Sequence, residues 1–217
     1  MATWLTHLRI AEKIKERIPG ISLPYLMIGS IAPDSGTPDE QRRTYNPPKE
    51  LTHFKTLIKG DKNKIDLEAF YNKHLAPSKI ITRSDKTRSF LWGYYFHLIS
   101  DAHWIEHYLL PLQMTYESTE EKKDKDFIDI MREETDALDF QFLKQTDYEI
   151  IKTFKNIKAD INFFNEFEPS YIKECQSRIV SYYEEVPKEE SNNKFYTKEM
   201  IDQFILDAAR LCIERLL

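Results

Sequence analysis

The chain of 217 residues has two cysteines, Cys175 and Cys212, too few for a disulfide framework. No apolar run approaches the roughly 18 residues that a membrane-crossing helix needs. The amino-terminal MATWLTHLRIAEKI lacks the long apolar core and small-residue cleavage site of a signal peptide, so a reduced, cytoplasmic setting is the expectation. Excess positive charge is missing too. A formal net charge of −5 disfavours a nucleic-acid backbone as the main partner. Period-two alternation and Asn-Gly turns are almost absent, as are fixed-period repeats and low-complexity tracts. What remains is 41% hydrophobic and 31% charged residues with 13% aromatics, a globular composition with a bulky interior and enough length for a substantial core. The reading is all-α, one domain over residues 1–217, a multi-helix bundle.

The most informative stretch is Ser89 to Pro111, SFLWGYYFHLISDAHWIEHYLLP, which holds three of the six histidines. His97 and Asp101 stand four apart and leave the same face of a helix. Trp104 and Tyr108 fall close to that line, so the face is expected to be buried. Desolvating an ionised Asp is costly without a cation, a donor or a metal. His and Asp at this spacing can bind a divalent ion such as Zn²⁺, or form a hydrogen-bonded core couple. His103 and His107, another pair four apart, lie on a different face and can equally be surface residues.

Taken in order, Trp4, His7, Ala11, Ile14 and Ile18 form the apolar stripe of a first helix, ended by Pro19-Gly20. His7 belongs to that stripe. A second helix runs through LPYLMIGSIA and is expected to close at Pro33, which leaves Asp34 just past a buried helix end. Residues 35–50 read as an irregular rim or lid, and His53 follows it. Lys59 to Lys64 is a charged turn, Asp66 caps a helix to about Leu75, and His74 near its end reads as surface. Ser84 caps the central helix and Pro111 is expected to terminate it. Ser118 with Glu121 matches a capping box for a helix to about Lys144, in which Asp136 and Asp139 face solvent or serve as late ligands. Shorter helices are expected near 148–155 and 160–167, then one from Glu168 to Glu185. VPKEESNNK is a polar loop, and Thr197 caps a closing amphipathic helix.

Four pieces, Thr6-His7-Leu8-Arg9-Ile10-Ala11, Gly29-Ser30-Ile31-Ala32-Pro33-Asp34, Thr52-His53-Phe54 and Gly93 to Asp101, together resemble the bacterial zinc-dependent phospholipase C family, in its order. The resemblance implies the all-α fold shared with P1-type nucleases, whose core holds up to three zinc ions. It makes His7, Asp34, His53, His97 and Asp101 metal ligands. Asp34, His53, His97 and one oxygen of Asp101 would hold one ion, and the other oxygen with His7 would reach a second. His107 copies the position of a ligand to another ion. On a straight helix it lies about 80° round from His97 and about 15 Å along, out of reach of the same ion. The implied cofactor is zinc, one to three ions, or another divalent metal. The implied substrate is a phosphoester or phospholipid, hydrolysed by metal-activated water attacking phosphorus, with Asp34 also orienting or deprotonating that water.

Two departures from the family pattern bear on the ion count. No His-x-x-x-Glu pair follows His107, the last histidine, although Asp129-x-x-x-Glu133, Asp136 and Asp139 offer carboxylates. The amino-terminal Trp ligand of the secreted members also has no obvious counterpart, because Trp4 lies three residues before His7. These departures point to one or two ions. Lys49, Lys55, Arg42 and Arg43 could meet a phosphate, or simply be a solvated loop. Two other readings stand beside the hydrolase: a P1-type nuclease, which the net acidity disfavours, and a metal-binding helical protein that binds a ligand or partner without catalysis.

Overall fold

The computed structural model describes residues 2–39, 44–55, 64–118, 125–184 and 193–216. Its first apolar stripe becomes helix α1 (Trp4–Arg17), whose first turn is capped by the Thr3 side chain accepting from the Thr6 N–H. Helix α2 (Leu23–Ile31) follows. It closes just before Pro33, as expected, and the chain continues through a single 3₁₀ turn, Ala32–Asp34. Pro33 has no N–H for the carbonyls of the preceding turn, so the α-helical ladder stops there. The rim segment is mostly irregular. It contains a two-residue antiparallel ribbon, β1 (Thr37–Pro38) against β2 (Tyr45–Asn46), before the single turn α3 (Lys49–Thr52). Arg42, Arg43, most of Lys59 to Lys64, Glu121 and most of the 186–194 loop lie outside the described residues.

Asp66 caps α4 (Leu67–Phe70), which widens into a π turn over Tyr71–Leu75 and is followed by α5 (Pro77–Ile80). His74 is not a surface residue: it is 15% exposed, packs on Phe70 and Phe54, and brings Nε2 to 3.2 Å from Glu166 Oε1. Ser84 caps α6 (Asp85–Trp104). Pro111 does not terminate that helix. A π turn over Ile105–Leu109 joins α6 to α7 (Leu110–Ser118). The wider turn accommodates the backbone bond that a proline cannot make and relieves the clash of its ring with the preceding turn. The next helix, α8 (Phe127–Gln145), is capped by Asp126 and not by Ser118, which ends α7.

Helix α9 (Glu149–Lys155) precedes a segment that does not become helical, because Asp160 Oδ1 accepts from the Asn162 N–H and offers the backbone a local alternative. Phe163 and Phe164 of that segment instead pack on Phe90. Helix α10 (Pro169–Glu184) and helix α11 (Lys198–Leu216) complete the chain, and Thr197 Oγ1 accepts from the Met200 N–H at the start of α11. Apart from the ribbon and an isolated bridge between Lys55 and Ile65, the described residues are helices and their connections. The fold is all-α. None of the described helices is long and apolar enough to cross a membrane.

The centre of the molecule is the crossing of α2 and α6, which touch backbone to backbone. A Cβ at Gly93 would lie 2.2 Å from the Leu26 carbonyl oxygen, and one at Gly29 would lie 2.1 Å from that of Phe90. Glycine is required at both positions because any side chain would force the helices apart. Around this crossing, α1, α10 and α11 pack their apolar faces, with Leu5, Leu26, Phe90, Tyr94 and Phe204 sealed from solvent.

Candidate metal centre

The close crossing of α2 and α6 sets the first contact of the site. His97 Nδ1 donates to the Ser30 carbonyl at 2.7 Å. In a tightening turn that carbonyl would take the N–H of residue 33, which Pro33 lacks, so it is left available to the imidazole. The bond fixes the ring and points Nε2 into the interior. There Nε2 meets His53 Nε2 at 3.3 Å and Asp101 Oδ2 at 3.4 Å.

His53 arrives from α3. Its Nδ1 shares a hydrogen bond of 3.0 Å with Thr52 Oγ1, and the Thr52 carbonyl accepts from the Tyr94 hydroxyl. The next residue, Phe54, is held in the left-handed region at φ 51°, a strained conformation for an aromatic residue. Its ring is pinned edge-on against Phe70 at 5.1 Å. That turn carries the chain away from His53 while its imidazole stays inside, 3.5 Å from Asp34 Oδ1 and 3.6 Å from Asp101 Oδ2.

Asp34 ends the 3₁₀ turn and is the edge of the cluster, with its side chain 8% exposed; His7, His53, His97 and Asp101 are at 0–1%. On the far side, His7 Nε2 lies 3.5 Å from Asp101 Oδ1, and its ring stacks on His97 at 3.8 Å. The Ala2 N–H also donates to Asp101 Oδ1, at 3.0 Å. Asp101 therefore turns one oxygen to His53 and His97 and the other to His7.

Five groups from four separate chain segments converge, and their polar atoms are not all satisfied. His7 Nε2 and Asp101 Oδ2 are buried without a hydrogen-bond partner. A buried orphan of this kind is costly. The donors form two sets, His7 with His97 and Asp101, and Asp34 with His53 and His97, each with its ligand atoms within 4.8 Å of one another. Four donors at about 2.0–2.1 Å around a tetrahedral zinc lie about 3.3–3.4 Å apart. His53 Nε2 lies 3.3–3.6 Å from His97, Asp34 and Asp101, and His97 Nε2 lies 3.4 Å from Asp101, separations that fit that spacing. Nitrogen and carboxylate oxygen also suit zinc chemically.

The electrostatics ask for positive charge. Burial works to raise the Asp101 carboxyl, but the charge of His97 and the close approach of the His7 and His97 nitrogens outweigh it and hold it well below the usual range. For Asp34, burial is likewise overcome, by the His53 hydrogen bond and the charges of His97 and Lys49, and the carboxyl is held low. Burial pushes His7 down to about 4, helped by the charge of His97, and it also lowers His53. Burial opposes a proton on His97 as well, but Asp101, Asp34 and the Ser30 carbonyl together raise it. Two ionised carboxylates thus face at most one imidazolium, and a divalent cation would redress the balance.

Other expected participants are placed elsewhere. His107 is outside the cluster: its side chain is 55% exposed, with Nε2 3.9 Å from Glu106 Oε2. The resemblance implies a neighbouring ion for His107, but its side chain lies on an outward face of the π turn Ile105–Leu109. Asp129 and Glu133 are exposed and pair with Arg132 and Lys125. Asp136 accepts from the Tyr182 hydroxyl, and Asp139 is buried, not solvent-facing, accepting from Tyr183 at 2.7 Å. Neither belongs to a metal-type group among the described residues. Lys49 lies over the Tyr45 ring at 4.4 Å. Lys55 is half-buried; burial lowers its pKa, aided by Lys49 and opposed by Asp101, Glu50 and Asp34.

Some supports had no signal in the sequence pattern. From α10, Arg178 donates to the carbonyls of Asp34 and Gly36, both at 3.2 Å, and the Cys175 thiol lies 3.4 Å from the Asp34 carbonyl. These side chains grip backbone, which accepts from any residue type, so no motif marks them. With the geometry in place, the comparisons add one finding. The model of the zinc dependent phospholipase C family matches residues 6–214. No curated protein and no solved structure gives a significant match.

Proposed function

The chain belongs to the zinc-dependent phospholipase C family, and from that premise we propose that it hydrolyses phosphoesters with zinc held by His7, Asp34, His53, His97 and Asp101. Zinc as cofactor and a zinc-dependent phosphoester hydrolase as the general class follow from membership. The ligand set and the course of the reaction are the proposal. The observation that carries it is the pair of orphaned buried atoms, His7 Nε2 and Asp101 Oδ2, in a cluster whose two carboxylates, Asp34 and Asp101, are both held ionised.

When bound, zinc supplies the positive charge that makes water nucleophilic near neutral pH and offsets charge building on phosphoryl oxygens. The protein's own groups do the rest. His97, locked by Ser30, and His53, locked by Thr52, keep their Nε2 atoms aimed inward without rearrangement. Asp34, at the exposed edge, is the carboxylate that an incoming water reaches first, and it can orient that water and take its proton. Lys49 and Lys55 place two ammonium groups in the field of Asp34 and draw a phosphate towards that edge. The substrate class is a phospholipid or smaller phosphoester.

A second reading, a zinc-held helical protein without turnover, draws on the exposed position of His107, which leaves the interior without the additional histidine that the family resemblance implies. The test is a metal count on purified protein followed by phosphodiester, phosphomonoester, phospholipid and single-stranded DNA substrates, with His97→Ala as control. The proposal expects zinc-dependent turnover of a phosphoester that chelation abolishes and zinc restores. Zinc present with no turnover would establish the second reading, and full turnover after exhaustive chelation would remove the mechanism. Cleavage confined to single-stranded DNA would make the chain a nuclease.

A further inference from the structure

Among the described residues the most exposed large apolar side chain is Ile81, at 75%. It stands where α5 turns into α6, in the segment PSKIITRSDKTR from Pro77 to Arg88. Backbone bonds fix the turn around it: the Ile81 N–H donates to the Pro77 carbonyl at 3.2 Å, and the Arg83 N–H to that of Ile80 at 3.0 Å. Arg88 ties down the far side by donating from Nη1 to the Arg83 carbonyl at 3.1 Å. Ile80 packs against the core, whereas Ile81 is held out in water at the apex.

The free charges at this apex are of one sign. Lys79, Arg83 and Lys86 are exposed and pair with no carboxylate among the described residues, and the one acid of the segment, Asp85, is taken by Arg88. Lys86 reaches over the Tyr25 ring at the start of α2, 5.7 Å from its centre. The link from α1 to α2 lies against the same end of the bundle, because the Ser22 N–H donates to Ser89 Oγ at 2.9 Å. There α1 ends on the exposed Arg17. Positive charge is thus concentrated beside an apolar tip on a chain whose net charge is −5. Leu110 and Met114 of α7 are also exposed, but that helix carries no cation and has Glu117 one turn on.

We propose that this corner docks the protein on an anionic lipid surface, with Ile81 entering the interfacial layer and Lys79, Arg83 and Lys86 meeting the headgroups. An apolar side chain presented among basic groups matches both features of such a surface, its acyl boundary and its negative potential. An acidic protein segment would use the cations but give Ile81 nothing to enter. An apolar protein face would cover Ile81 but strip water from unpaired charges. The corner is far from the metal centre, since His97 lies about 18 Å further along α6 than Asp85. Docking here does not rest on the hydrolase reading and leaves the metal ligands untouched.

The experiment is co-sedimentation of the full chain with vesicles of phosphatidylcholine alone and of equal parts phosphatidylcholine and phosphatidylglycerol. Wild type should bind the mixed vesicles far more tightly, and raised salt should release it. Each cation near an anionic surface is worth about fivefold in partitioning, so Lys79→Gln, Arg83→Gln and Lys86→Gln combined should cost about 100-fold. Ile81→Ser should cost about 10-fold, the share of a partly buried aliphatic side chain, while Met114→Ser on α7 should bind like wild type. All these side chains are exposed, so the variants keep the fold, which an unchanged zinc content verifies. No preference for the mixed vesicles would overturn the proposal, as would binding that the triple variant or Ile81→Ser leaves unchanged. Capture of poly-glutamate in place of vesicles would overturn it in favour of an acidic protein segment, and self-association lost in Ile81→Ser in favour of a second copy.

Discussion

Asp101 on α6 and Asp139 on α8 are equally sealed from water, 0% and 2% exposed, yet their surroundings differ in kind. Asp139 meets a neutral donor, the Tyr183 hydroxyl, and burial pushes its pKa up to about 7, so the carboxyl can keep its proton. Asp101 meets three imidazoles, is held ionised, and keeps one oxygen with no hydrogen-bond partner. Glu134, also on α8, shows another arrangement: its two oxygens accept from the backbone N–H groups of Lys194, Phe195 and Tyr196 and anchor the approach to α11. A buried acid is therefore weak testimony for a metal. The unanswered oxygen among inward-facing imidazole nitrogens is the informative feature, and it occurs in the half of the molecule built by α1, α2, α3 and α6.

The sharpest way to break this contrast is to neutralise each acid in turn. Asp101→Asn replaces one oxygen with an amide N–H₂ that can only repel a cation. Zinc affinity should fall by more than about 100-fold, beyond what loss of an outer-shell partner causes. Asp139→Asn keeps a group that can still accept from Tyr183 and should retain full metal content. Metal analysis after gel filtration reads both, and equal zinc in the two variants would dissolve the distinction.

A smaller effect tests whether the second half of the chain supports the first. Arg178 on α10 holds the backbone of the turn that presents Asp34. Arg178→Met should raise the zinc dissociation constant about 10-fold, the lower range for a partner that orients a ligand. Arg178→Lys, which can still donate to one carbonyl, should recover part of it. A chelator-competition titration measures both. Unchanged affinity in Arg178→Met would confine the metal centre to the amino-terminal half.

The same contrast explains what the sequence made legible. Five side chains of the cluster were readable because histidine and aspartate on apolar faces are conspicuous, and the four short pieces that carry them sit in a recognisable order. The all-α character followed from helical periodicity and from the lack of strand signals. What escaped was set by backbone. Pro111 follows a π turn and the helix runs on, where a stop was expected. The local reading assigns a proline by its missing N–H, but the surrounding packing decides whether that loss ends the helix or bends it. Asp139 escaped for a different reason. Its burial depends on Tyr183, 44 residues away, and on the Thr3 side chain, and helical spacing cannot show either contact.

The smallest expected effect concerns Asp139 itself, read in chelated protein so that no metal intervenes. Its ordinary value is 3.8, and in the fold it stands at about 7. Burial raises it and the neighbouring Asp136 adds to this, against the hydrogen bonds from Tyr183 and Thr3 and the charge of Arg9. Between these two values the native state keeps a proton that the unfolded chain has released, so the unfolded state is favoured as pH rises. This group's share of stability is therefore full below about pH 4, declines from there to about pH 7, and is level above. The slope is at most about 1.4 kcal/mol per pH unit. His7, lowered to about 4, works in the opposite direction over part of the same range, which is why the difference between wild type and Asp139→Asn is the quantity to follow. Urea midpoints of the two proteins should converge or diverge steadily across pH 4–7 and run parallel above it. Parallel curves throughout would mean that Asp139 is ionised in its pocket, and the contrast with Asp101 would then lie in the partners alone.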